Sequence, residues 1–209
     1  MIIFEQIFKM KKSILFLVLS VTVFVAQAQH LEKNSFKVVI DRGHDAVDKG
    51  VQVDGETEYE ILSSLVSQLT GEVQNHVEVI YHNPAGERLT ILERATQINS
   101  LDPDLVISIH MGASENGPRQ AAVLMNEENE QFNKSKEFAS LLIQHLSTDP
   151  YFSTILTETT GMNLLHLVKS PAFVLEIGNM NAPRDRYYLK TNGAKRLAKN
   201  FTDFLNALN

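Results

Sequence analysis

The apolar positions of this chain fall into alternating short runs and helical stripes. Phe36-Lys-Val-Val-Ile-Asp41 is a β-branched run that ends in Arg-Gly-His, which predicts a strand leading into a loop. Between residues 56 and 74, Ile61, Leu62, Leu65, Val66 and Leu69 recur at helical spacing. Val77–Tyr81 predicts a short strand, and Leu89, Leu92, Ala95 and Ile98 predict a helix over roughly 89–99. Leu105–Ile109 reads as a buried strand running directly into His110, and Ala121–Met125 as another. Phe132–Leu146 is helical, the polar stretch 148–162 reads as a loop, and Leu164–Val168 as a short strand. Ala172–Glu176 is a stronger strand, and 191–208 a terminal amphipathic helix.

Strands alternating with helices, the strands being continuous apolar runs, predict an α/β fold. The expectation is a single domain with a twisted, mostly parallel sheet of about six strands and helices on both faces. No internal repeat or linker divides it. In such sheets chemistry gathers at the carboxyl ends of the strands. His44, His110 and Glu176 all fall at such ends, although they are far apart in sequence.

The first 28 residues stand outside this pattern. Lys9, Lys11 and Lys12 precede an apolar run of thirteen residues from Ile14 to Ala26, broken only by Ser20 and Thr22, and Ala26-Gln27-Ala28 is a small-x-small cleavage site. This predicts a secretory signal peptide over 1–28, an exported domain over 29–209 in the periplasm or outside the cell, and no stable membrane anchor after cleavage. The run is shorter than the roughly 20 residues a spanning helix needs. Met10 before two lysines would itself serve as a start. Cleavage takes away three Lys and one Glu, leaving 181 residues with a formal charge of −8. That field excludes general attraction to nucleic acid or anionic polymers. Targeting to an anionic wall would then fall to a protein partner; the expected state is a monomer.

The chain contains no cysteine. A thiolate nucleophile and a sulfur-ligated metal are therefore excluded. Two histidines and a carboxylate form the donor set of catalytic zinc. The residues offer His44, His110 and one of Glu56, Glu58 or Glu60, with Glu176 as general base. His76, His82, His145 and His166 read as structural, His166 as a core or rim residue of its apolar run. Arg94 suits either a substrate carboxylate or a pairing with Glu87 or Glu93. The segment Asn181 to Asp185 suits a helix cap.

Val39-Ile-Asp-Arg-Gly-His44, Glu58-Tyr-Glu-Ile61, Leu92-Glu-Arg-Ala95 with Ile98-Asn99, Ser108-Ile-His110 and Val174-Leu-Glu-Ile-Gly178 follow one another in order. This series resembles the zinc-dependent N-acetylmuramoyl-L-alanine amidases of the cell-wall hydrolase type (amidase type 3) over about residues 36–208. The resemblance implies one zinc ion per chain on His44, Glu58 and His110, and Glu176 as catalytic acid/base. It implies peptidoglycan or muropeptides as substrate, cut at the amide between N-acetylmuramic acid and L-alanine. Arg94 and Asn181 are the candidate substrate-binding residues. The chain departs from the family pattern at several places. Arg42 stands where Pro is usual, Asp45-Ala46 where two glycines are usual, Tyr81-His82 for Thr-Arg, Met111-Gly112 for Ala-Asn, and Asn179-Met180 for an aromatic and Leu. These departures keep two other readings open: a zinc peptidase or amidase on soluble muropeptides or another amide, and a non-catalytic peptidoglycan-binding relative. No inhibitory helix is expected between His110 and Glu176.

Overall fold

The computed structural model describes residues 35–69, 72–115 and 121–208, all within the unit Ser35–Asn209. The signal-peptide segment lies outside the described residues. Strand β1 (Phe36–Arg42) is followed by a two-residue hairpin of β2 (Gln52–Val53) and β3 (Glu56–Thr57), then helix α1 (Glu58–Val66). Strand β4 (Val77–His82), helix α2 (Ile91–Ser100), and strands β5 (Leu105–Gly112) and β6 (Ala121–Met125) come next. Helix α3 (Phe132–Leu146), a 3-10 turn (Pro150–Phe152), strand β7 (Ile155–Thr159) and helix α4 (Asn163–Leu167) lead to β8 (Ala172–Asn179). Helices α5 (Pro183–Leu189) and α6 (Asn192–Asn206) close the chain.

The six long strands form one sheet in the order β4-β1-β5-β8-β6-β7. The pairs β1–β4, β1–β5, β5–β8 and β6–β7 are parallel, and β6 runs antiparallel to β8. Alternation along each strand divides the core. Val38, Ile40, Ile107, Ile109, Phe173 and Leu175 pack under α1, α3, α5 and α6. Val39, Val106, Ala122 and Val174 pack under α2 and α4. Both faces are thus covered, which is why the central strands β1, β5, β6 and β8 are largely apolar.

Several elements differ from the sequence expectation. Residues 148–162 hold the 3-10 turn and the edge strand β7, not a loop. Thr157 and Thr159 are exposed, so an edge strand with one neighbour needs no apolar run. Leu164–Val168 belongs to helix α4 rather than a strand: Leu164, Leu165 and Val168 are buried in one turn, and a short apolar run does not distinguish the two states by itself. His166 therefore faces outward, its side chain 61% exposed and 3.8 Å from Glu128. In α2 the buried set is Arg94, Ala95 and Ile98, while Leu92 is exposed. A polar side chain takes the inward place that spacing assigned to a leucine. The hairpin β2–β3 and helix α5 were not legible as elements. Among the described residues no helix is long and apolar enough to cross a membrane.

Candidate metal centre

The carboxyl ends of β1 and β5 deliver two histidines to one point. Gly43 N–H donates to the Ile109 carbonyl at 3.0 Å, so the chain continues alongside β5 for one residue before His44 turns off. Asp45 then folds the loop by accepting from the backbone N–H groups of Val47 at 2.7 Å and Asp48 at 2.6 Å. Gly43 is required for the approach, because a Cβ there would lie 2.0–2.4 Å from three ring atoms of His110. Gly50 (φ +67°) is required too: a Cβ would meet Glu58 Oε2 and His44 Cδ2 at 2.6 Å. The Gly43→Ala variant is expected to push the His110 ring aside and weaken metal binding by about 10–100-fold, the usual cost of losing ligand orientation. Metal titration checks it, and an unchanged affinity would refute the cradle.

The third donor comes from the first residue of α1. Thr57 caps the helix, its hydroxyl accepting from Glu60 N–H at 3.3 Å. Glu58 N–H donates to the Val51 carbonyl, which fixes the helix start beside the loop. Glu58 is 1% exposed. Its Oε1 lies 3.2 Å from His110 Nδ1 and accepts from Met111 N–H at 2.9 Å; its Oε2 lies 3.2 Å from His44 Nε2 and accepts from Val51 N–H at 3.3 Å. The hairpin holds this position from the other side, where buried Arg186 of α5 pairs with Asp54 and Glu56, both at 2.7 Å. Among Glu56, Glu58 and Glu60 the geometry selects one. Glu56 serves Arg186 and Lys190, and Glu60 stands out in solvent opposite Lys49.

One donor atom from each of His44, Glu58 and His110 lies within 4.8 Å of the others. Burial alone would raise the Glu58 pKa. The contacts with His110, His44 and the Met111 N–H outweigh it and hold the carboxyl well below the usual range. Reciprocally, the Glu58 contact lifts His44 above the ordinary imidazole value against the opposing effect of burial, with Asp48 adding to it 3.5 Å from Nδ1. No Arg or Lys neutralises Glu58 among the described residues. A buried carboxylate faced only by two imidazoles and backbone N–H groups, in a cradle two glycines keep open, fits a divalent ion with nitrogen and oxygen preference.

Glu176 lies beside this cluster. It is the direct register partner of His110 in the neighbouring parallel strand, so both side chains leave the sheet on one face. It is half-buried, and its Oε2 comes near Gly112.

Arg94 is buried inside the domain. It is 4% exposed, and its NH1 donates to the carbonyls of Gly43 at 2.7 Å and Arg42 at 3.3 Å and to Asp41 Oδ2 at 3.4 Å. Its partner is Asp41, not Glu87 or Glu93, and a guanidinium buried under the loop has no surface left for a substrate. Asp41 also accepts from Ser108 Oγ at 2.7 Å and contacts His82 Nδ1 at 3.0 Å, while His82 Nε2 meets Gln97 at 3.0 Å. This buried network, which sequence reasoning missed, pins the loop that carries His44. Replacing Arg94 by Met removes the guanidinium that faces buried Asp41 and the donor to the Gly43 and Arg42 carbonyls. It is expected to cost about 3 kcal/mol in urea unfolding; a cost near zero would contradict the network. Asn181 is exposed, and its side-chain N–H donates to the Ala113 carbonyl at 3.0 Å, tying the loop after β5 to the loop after β8. Asp185, offered as a cap, is buried, and its Oδ2 accepts from Asn179 N–H at 3.0 Å.

A mostly parallel α/β sheet thus carries a His-Glu-His cluster and a further acid at its strand ends. Residues 38–207 match the family model of N-acetylmuramoyl-L-alanine amidases (Amidase_3), and the chain belongs to that family. Its enzyme class is N-acetylmuramoyl-L-alanine amidase, acting on peptidoglycan. The fold is similar to that of the N-acetylmuramoyl-L-alanine amidase from Clostridium difficile 630, with TM-score 0.71, 20% identity, and 82% of this chain and 95% of that one covered. The amidase Ami1 from Mycobacterium smegmatis aligns with TM-score 0.68 and 21% identity over 83% of this chain and 98% of its own. The catalytic domain of CwlV from Bacillus (Paenibacillus) polymyxa var. colistinus gives 0.68 and 18% over 80% and 94%. At these identities the structural likeness speaks for the fold alone. No curated protein sequence matches the chain.

Proposed function

We propose that this protein is an exported, zinc-dependent amidase that hydrolyses the bond between the lactyl group of N-acetylmuramic acid and L-alanine of the stem peptide. The observation that carries the reading is the convergence of His44, Glu58 and His110 within 4.8 Å, with Glu176 in register beside His110. His44, Glu58 and His110 would hold one zinc ion. Zinc bound there supplies Lewis acidity, polarising the amide carbonyl and acidifying water. Glu176 takes a proton from the attacking water and delivers one to the amide nitrogen as the C–N bond breaks. The products are a free lactyl carboxylate and a peptide with a free L-alanine amine. Buried Arg94, Asp41 and His82 keep the His44 loop in place during this chemistry. The apolar leader over 1–28 supports export.

Digestion of purified muropeptides by the zinc-loaded domain tests the reading. Mass spectrometry should show intact stem peptides whose only new amine is on L-alanine. Release of D-alanine or of free sugars would overturn it, and absence of any turnover would favour the non-catalytic relative. Digestion of intact sacculi in parallel separates wall turnover from hydrolysis restricted to soluble fragments.

A further inference from the structure

Beside the metal cluster lies a cation without a counter-charge. Arg42 is the last residue of β1, two positions before His44, and the Cα atoms of such residues are at most about 7 Å apart. Its side chain leaves on the α1 face, where its guanidinium carbon sits 4.4 Å over the ring of Tyr59. Tyr59 directly follows Glu58, so the pair flanks the cluster along both segments. Gly86 (φ +69°) leaves room for this stack, since a Cβ there would lie 2.4 Å from the Tyr59 hydroxyl and 3.2 Å from Arg42 NH2.

The guanidinium is half-buried and has only neutral partners: NH1 donates to Ser63 Oγ at 2.9 Å and NH2 to the Asn83 carbonyl at 3.3 Å. Its Nε–H is buried without a partner, and no carboxylate among the described residues pairs with it. Desolvating a guanidinium without an anion is costly. Among the described residues the two buried arginines have acids, Arg94 with Asp41 and Arg186 with Asp54 and Glu56, and even the exposed Arg196 has Asp149. Arg42 also lines a cavity of about 320 Å³ with Ser63, Val66, Tyr81, Asn83 and Pro84, a size within the range of small-ligand sites. The remaining N–H groups of NH1 and NH2 can meet a carboxylate, and Tyr81 and Val66 can cover the chain that carries it.

We infer that Arg42 and this cavity form a specificity subsite for a free carboxylate on the stem peptide, one or two residues beyond the scissile amide. The inference rests on the amidase reading, because it takes its ligand from that substrate. The subsite would favour an acidic second residue over its amidated form. A charge-assisted hydrogen bond of this kind amounts to about a tenfold or greater preference.

Calorimetric titration of the zinc-loaded protein with the released peptide tests this without turnover. Two peptides are compared, identical except that the α-carboxyl of the second residue is free in one and amidated in the other. The acid is expected to bind at least about tenfold more tightly, Arg42→Gln to erase the difference, and Arg42→Lys to keep part of it. Thermal unfolding of both variants confirms that they fold. Equal binding of the two peptides, or a preference that survives Arg42→Gln, overturns the subsite. Inorganic phosphate is the control for a general anion site: if it binds at Arg42 as tightly as the acid peptide, the peptide assignment is overturned. An Arg42-dependent preference in a protein that leaves muropeptides uncut would sustain the subsite while rejecting the amidase reading.

Discussion

Glu176→Gln is expected to lower kcat by about a thousandfold or more while zinc content stays at one ion per chain. The substitution keeps the size of the side chain and its capacity to accept a hydrogen bond. It removes the ability to take up a proton from water and return it to the leaving amine. General acid–base catalysis is worth about 10²–10⁴-fold, and here one group performs both transfers, so the upper part of that range applies. Glu176 is held by strand pairing to His110 and Ala122, which depends on backbone and not on its carboxylate. The fold and the cluster should therefore survive the change, and metal analysis with thermal unfolding verifies that they do. A loss under tenfold would remove Glu176 from the chemistry and leave it a structural acid.

The second large effect concerns the metal. Chelation is expected to abolish turnover, zinc to restore it, and Glu58→Ala to prevent restoration. Glu58 faces both imidazoles and accepts from the Met111 and Val51 N–H groups, so its removal strips the cluster of its only carboxylate and leaves two donors unmatched. The expected cost is about 3 kcal/mol, a Tm lower by about 6–12 °C for a domain of this size. The pH dependence of the chelated protein follows from the two shifts. Glu58 is depressed, so its stabilising contribution is present above the unfolded carboxyl value, near pH 4.5, and is lost as pH falls through the lower folded value. His44 is raised, so its contribution is present below the unfolded imidazole value, near pH 6.5, and is lost as pH rises through the higher folded value. Without metal the cluster contributes most between those limits. Zinc competes with the His44 proton, so the rise in Tm that zinc causes should grow from pH 5.5 to 8. A zinc effect independent of pH would show that His44 is not a ligand.

How much of this was legible beforehand differs by residue. His44, His110 and Glu176 could be found because each follows a β-branched or apolar run that had to be a buried strand, and strand ends converge. The choice of Glu58 over Glu56 and Glu60 came only with the ordered motifs, because three acids at alternate positions look alike until one is seen turned inward. Arg94 was visible as a charged residue in a helix. Its partner was not, because Asp41 lies 53 positions away and meets it only when α2 packs on β1. Arg42 showed as a departure from a motif, and only the position of Tyr59, Ser63 and Asn83 around it reveals a cation with no acid. Helix α4 and strand β7 were misassigned because a five-residue segment carries too few periods for its pattern to choose.

The sequence by itself determined the class of fold and the oxygen and nitrogen character of any metal site, and its ordered motifs singled out His44, Glu58 and His110, which the fold brings within 4.8 Å of one another. Those follow from local pattern and from composition, since apolar runs force burial and a chain without cysteine offers no thiolate. Tertiary structure alone decided which charges neutralise one another and which arginine is left unmatched. These depend on distances between segments that are remote in sequence, and the energy of a charge is set by what surrounds it once water has been removed.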